Sequence, residues 1–243
     1  VMLFLLSRRY RVAVFLSALV MFSVSQFSMA ALDFSKVVGS AYSVKTGELL
    51  YRETHQSLSP MEHTVEYSEP DGQVFGHKKI DWSRSLITPD FSQINGRNGE
   101  QIVVEQVGDQ FKIEYQENLK SKWVTGTEDL VPGMVVDAGF DGFIKKYWAA
   151  LDSNTQMDIE YLVPTQQATF SFYVKKTVCL DGTVQGATCF ALIPASWVVR
   201  LAVDPITVAY DSNTHQLLRF TGRANICDIK GKYQNVDILY HYL

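Results

Sequence analysis

Five histidines, three cysteines, one close pair of aspartates and one arginine set in a polar break are the residues of this chain whose chemistry could extend beyond folding. The histidines are His55, His63, His77, His215 and His241. A metal site or an acid-base pair needs such residues at spacings that bring them to one side of an element. These five are scattered, and none is spaced with another His, Cys or carboxylate as a recognisable metal site. The sequence also has no G-x-S-x-G elbow, no H-E-x-x-H, no Walker loop and no G-x-G-x-x-G. Asp137 and Asp141 stand four residues apart, at the spacing of two acid-base carboxylates on one helix face. Capping the first turn of that helix uses the same residue type at the same place and is the simpler assignment. Arg223 lies in the polar stretch Gly222-Arg223-Ala224-Asn225. Its planar fork suits a ligand's carboxylate or phosphate, and pairing with Asp204 or Asp228 would use it structurally. These readings predict a non-enzymatic protein, with no catalytic residue, no metal and no cofactor.

Cys179 and Cys189 flank a turn-rich loop with two glycines and no histidine, which predicts a disulfide across its base and argues against a metal knuckle. Closing so short a loop stabilises a fold by about 2–3 kcal/mol on the chain-entropy account. Cys227 is left over and reads as a buried thiol.

Those cysteines need an oxidising compartment, and residues 1–30 supply an address. Arg8, Arg9 and Arg11 precede an apolar run from Val12 to Val24, and Ser28 and Ala30 place small residues at −3 and −1 of a cleavage site. That layout predicts a secretory signal peptide cleaved after Ala30, with residues 31–243 as one β-rich domain in the periplasm and no transmembrane span in the mature chain. Removing the three arginines takes Lys plus Arg from 22 to 19 against 26 acidic residues, a charge of −7. A chain so charged lacks the positive clustering that nucleic acid or anionic lipid requires.

Period-two alternation of apolar and polar residues runs through most of the mature chain, the pattern of half-buried strands. Segments 41–44 and 48–55, 64–68 and 73–82, and 102–107 and 110–117 form three hairpins around short polar turns, implying an antiparallel meander. Further strands are read around Met157, Ala168, Ile206 and Gln216 and at the C-terminus, nine or ten in all. Asn95-Gly96-Arg97-Asn98-Gly99 reads as a solvated hairpin tip. One helix interrupts the pattern: Phe140, Phe143, Ile144, Tyr147, Trp148 and Leu151 make a single apolar stripe. The fold class is mainly β (α+β), a curved antiparallel sheet or incomplete β-barrel covered by one or two helices. The terminal strand places Val236, Ile238, Tyr240 and Tyr242 on one face and Leu243 out of phase with them, unlike an outer-membrane barrel.

Two stretches carry a resemblance. The first, Ser196 to Leu201 with Val203-Asp204-Pro205-Ile206, and the second, Leu217 to Phe220 with Gly222 to Ile226, resemble the C-terminal half of uncharacterised exported bacterial proteins of unknown domain function. The layout is also similar to that of the periplasmic lipoprotein carrier and lipoprotein-sorting proteins. That resemblance implies a half-barrel holding an acyl chain, a lipid or another apolar ligand. Phe143, Tyr147, Trp148, Tyr161, Phe170, Phe172, Val208 and Tyr210 are then the candidate lining, with Arg223 for a polar group. The rival functions are an assembly factor of the cell envelope, with an envelope protein as partner, and a hydrolase whose residues converge only in the fold.

Overall fold

The computed structural model describes residues 36–200 and 204–243, and the predicted signal at 1–30 lies outside them. Eight strands follow one another as an antiparallel meander: β1 (Lys36–Ser43), β2 (Leu49–Ser59), β3 (Glu62–Ser68), β4 (Val74–Asp81), β5 (Asp90–Asn95), β6 (Glu100–Val107), β7 (Gln110–Gln116) and β8 (Val124–Asp129). The short strand β9 (Met134–Val136) then leads into α1 (Gly139–Lys146) and α2 (Trp148–Asp152). A second meander follows: β10 (Met157–Val163), β11 (Ala168–Thr177), β12 (Ala187–Pro194), the short helix α3 (Trp197–Arg200), β13 (Ile206–Asp211), β14 (Leu217–Arg223) and β15 (Asn235–Tyr242).

β15 pairs antiparallel with β1 and joins the two meanders into one 15-stranded sheet. β9 runs parallel to β10, and β8 and β9, consecutive in the chain, are its two unpaired ends. The sheet is therefore curved and unclosed, with its helices on one side. It rolls up on itself: Val135 and Ile159 face the helices, whereas Met134, Val136 and Leu162, on the other face of the same strands, pack with Val104, Phe111 and Ile113. Phe220 touches both cores. No helix among the described residues is long and apolar enough to cross a membrane.

The count of fifteen strands corrects the nine or ten read from alternation. β12 is buried on both faces, so it has no alternation to read. β8 is mostly exposed on both faces, β9 has three residues, and β5 turns Gln93 and Asn95 inward. The single expected helix is two, broken at Tyr147 (φ −105°, ψ 18°). Gly139 and Gly142 let α1 press on the loop between β4 and β5, since a Cβ there would stand 1.8 Å from the Ile87 carbonyl oxygen and 2.2 Å from that of Leu86. Neither aspartate caps α1. Its N-cap is Ala138, Asp141 bonds Lys145 at 2.8 Å, and Asp137 turns away to a buried lysine whose charge needs a partner more than the helix end does.

Candidate functional site

Inward-facing positions of the first meander carry polar side chains where an apolar core was expected. In register across the sheet stand Tyr240, Gly39, Glu53, Tyr67, Gly76, Asn95 and Glu100. Gly39 makes the row continuous. A Cβ there would meet Glu53 Cγ at 2.8 Å and Tyr240 Cε1 at 2.9 Å, so only glycine lets the two side chains join across β1. The Tyr240 hydroxyl donates to Glu53 Oε1 at 2.6 Å, and His55 Nε2 lies 3.1 Å from the same oxygen. Burial pushes the Glu53 carboxyl up, but His55, Tyr240 and the charge of Lys78 outweigh it and leave the group below its ordinary range.

Lys78, one row along, is 3% exposed and donates to both Asp137 oxygens at 2.8 Å. Its ammonium also stands 5.1 Å from the Phe91 ring centroid. Asp137 takes a left-handed backbone (φ 44°) to present that carboxylate, a conformation that costs an L residue about 1 kcal/mol or more. Tyr161 donates its hydroxyl to the Asp137 carbonyl at 3.4 Å.

The segment after β14 crosses the concave face of the first meander and fills it. Gln93 Nε2 donates to the Asn225 carbonyl and Asn95 Nδ2 to that of Cys227, both at 2.9 Å. Glu100 accepts from Tyr233 at 2.5 Å and Tyr115 at 3.3 Å, with the Cys227 thiol at 3.5 Å. Burial raises the Glu100 carboxyl, and burial with the Glu100 charge pushes the Cys227 thiol up to about 12. Cys227 is free and buried, in line with its reading as a buried thiol, and Cys179–Cys189 form the expected disulfide.

Between this crossing segment and the rim of β2 lies a cleft of about 310 Å³. Leu50, Ala224, Ile226, Ile229 and Val236 make its apolar wall, and Tyr51, Arg97, Glu69, Asp228 and Gln234 its polar part. Arg97 holds Glu69 through Nε (2.7 Å) and Nη2 (2.5 Å), gives Nη2 also to the Leu50 carbonyl, and stacks 3.7 Å from the Phe75 centroid. Its Nη1 has no hydrogen-bond partner among the described residues. The Tyr51 hydroxyl is buried with none either, an arrangement that costs about 1–3 kcal/mol. Arg97 and Asn95 thus correct the reading of 95–99 as a solvated tip: Asn95 is fully buried, and the arginine is drawn inward by Glu69 and an aromatic face.

A larger cleft of about 720 Å³ lies where β8 approaches β10 and β11. Its acidic groups are already engaged, Glu128 by Thr169 at 2.8 Å, Glu160 by Ser171 at 2.9 Å and Asp129 by Gln110 at 2.7 Å. Neither cleft is lined by Glu53, His55, Lys78 or Asp137. Among the described residues no three metal-ligating side chains gather at one point.

The aromatic residues read as a cavity lining come together, but against one another. Phe143, Val208 and Tyr210 are core, with Tyr147, Trp148, Tyr161 and Phe172 packed at its margin. Tyr147 lies 4.9 Å from the Phe143 ring, and Trp148 stacks at 3.7 Å on His215. Phe170, at the far end of β11, is 36% exposed and outside that core. Arg223 pairs with neither Asp204 nor Asp228: it lies 4.9 Å over the Tyr233 ring, while Asn235 and Gln234 take the two aspartates. Sequence reasoning missed Glu53, Lys78, Tyr51 and Arg97. The one available signal was Glu53 and His55 at i and i+2 on a strand, hence on one face. Compared with protein-family models and with curated proteins, the chain matches neither.

Proposed function

We propose that this is an exported, non-enzymatic binding protein of the bacterial periplasm that holds a small amphipathic ligand in the cleft beside Arg97. The observation that carries this reading is the pairing of an apolar wall with an Arg97 Nη1 that has no hydrogen-bond partner among the described residues. Binding sites commonly combine such a wall with a few placed polar groups. The disulfide fits an oxidising compartment, and the layout likeness to periplasmic lipoprotein carriers agrees with a carrier role.

Size limits the ligand. A cleft of about 310 Å³ is at the small end of ligand sites and suits a short amphiphile. The crossing segment contributes Ala224 and Ile226 to the core on the concave face.

The test is ligand-observed NMR on the purified full chain with a mixture of short-chain amphiphiles of seven to ten heavy atoms, beside native mass spectrometry of what co-purifies. Saturable binding that falls in Ile229→Asp, a change at an exposed rim residue, is the expected result. A protein that is empty on extraction and takes up no amphiphile would overturn the reading.

A further inference from the structure

β8 is a sheet edge without the devices by which proteins blunt one. It carries no lysine, proline or bulge, and it pairs regularly with β7 on one side only. At the other end of the sheet, β9 is three buried residues whose Val136 N–H goes to the Ile87 carbonyl. The Leu130 N–H bonds the Asp109 carbonyl, and in an antiparallel ladder this turns the backbone groups of Val124, Gly126 and Glu128 toward β7. Thr125, Thr127 and Asp129 therefore turn theirs to the open edge. The cleft of about 720 Å³ lies there, lined by Thr127 and Asp129 from the edge and by Glu160 and Thr169 from β10 and β11. Its charges are all negative: Glu128, Asp129 and Glu160 line it, and no lysine or arginine does. Thr169, Gln110 and Ser171 bond these carboxylates without neutralising them, and none of the three has an ion pair among the described residues. Lys112, opposite Thr127 in register, is taken by Glu114 at 2.8 Å. Trp123, Val124, Leu130 and Val131, at the two ends of β8, are each more than a third exposed. We infer that β8 receives an extended basic segment of a partner protein as an added strand. The main chain of that segment pairs with Thr125, Thr127 and Asp129, and its lysines or arginines meet the three carboxylates. A second copy of this chain would bring another Glu128 and Asp129 to the same place, so charge favours the basic segment.

The experiment titrates the full chain by calorimetry with a blocked heptapeptide alternating lysine and valine, its glutamate counterpart, and the lysine peptide with every backbone amide N-methylated. The lysine peptide binds at least about tenfold tighter than the glutamate one, and added salt weakens it severalfold. The methylated peptide keeps the charge but has no backbone N–H, and it loses at least about tenfold in affinity. Amide exchange slows at Thr125, Thr127 and Asp129 when the lysine peptide is bound. Thr127→Pro breaks no bond to β7, so the thermal midpoint is kept while peptide binding is lost. Glu128→Gln/Glu160→Gln weakens the lysine peptide about tenfold, and it carries the test if the proline variant does not fold. Absence of peptide binding, equal binding by the methylated peptide, or binding unaltered in Glu128→Gln/Glu160→Gln would overturn the inference. So would a dimer in sedimentation that Thr127→Pro dissolves, which would give the edge to a second copy.

Discussion

Lys78→Met tests the central claim about the inward polar face, that one lysine and one aspartate far apart in sequence are fixed by each other. Lys78 has a side chain 2% exposed, and Asp137 one 17% exposed. Methionine keeps the aliphatic stem and its packing, so what is lost is the charge. Removing one member of a buried pair costs about 3–5 kcal/mol, because the survivor keeps its desolvation without its partner. Asp137 can relax toward solvent, which places Lys78→Met near the lower end, about 3 kcal/mol. Asp137→Asn strands an ammonium that is almost wholly buried, and it falls near the upper end, about 4 kcal/mol, reduced to the extent that Glu53 serves as a substitute counter-charge. The double variant Lys78→Met/Asp137→Asn leaves no charge behind and loses only about 1–2 kcal/mol. Urea unfolding followed by tryptophan fluorescence gives the three values, and a double-mutant cycle gives the coupling. Single variants that each lose under about 1 kcal/mol, or a double variant that loses the sum of the two, would refute the reasoning.

Gly39→Ala forces apart the Glu53 and Tyr240 side chains that meet over β1. Overpacking and the loss of a charge-assisted hydrogen bond lower stability by about 2–4 kcal/mol, more than Tyr240→Phe alone, as read from urea midpoints. Replacing both Cys179 and Cys189 by Ser reopens a link between positions ten residues apart and costs about 2–3 kcal/mol, measured as the difference in midpoint between oxidised and variant protein. His63 is 1% exposed, and burial, helped by the charge of His55, holds its imidazole down to about 4. Between pH 6.5 and 4 the unfolded chain therefore binds a proton that the folded one does not. Its contribution is complete above pH 6.5 and declines by up to about 3 kcal/mol as pH falls to 4. His63→Phe flattens that part of the stability profile, and an unchanged slope would contradict the assignment.

Alternation made the hairpins legible because each of those strands has one face in the core and one in water. It failed where that condition fails, at doubly buried β12 and at β5, whose inward face carries Gln93 and Asn95. The helical stripe was legible for the same reason, but neither its break at Tyr147 nor its close approach to loop 85–89 through Gly139 and Gly142 is encoded in a local pattern. The aromatic residues were correctly grouped. Whether such a group lines a cavity or fills it depends on what packs over it, and here α1 and α2 do.

By itself the sequence determined the class of fold and the pairing of Cys179 with Cys189, because these follow from local periodicity and from a short loop. Only the tertiary structure decided where the polar chemistry sits. Lys78 meets Asp137, Tyr240 meets Glu53 and Arg97 meets Glu69 across separations of 59, 187 and 28 residues. Those meetings are set by strand register and by the rolling of the sheet, which bring inward-facing side chains of distant strands within reach once the concave face is filled.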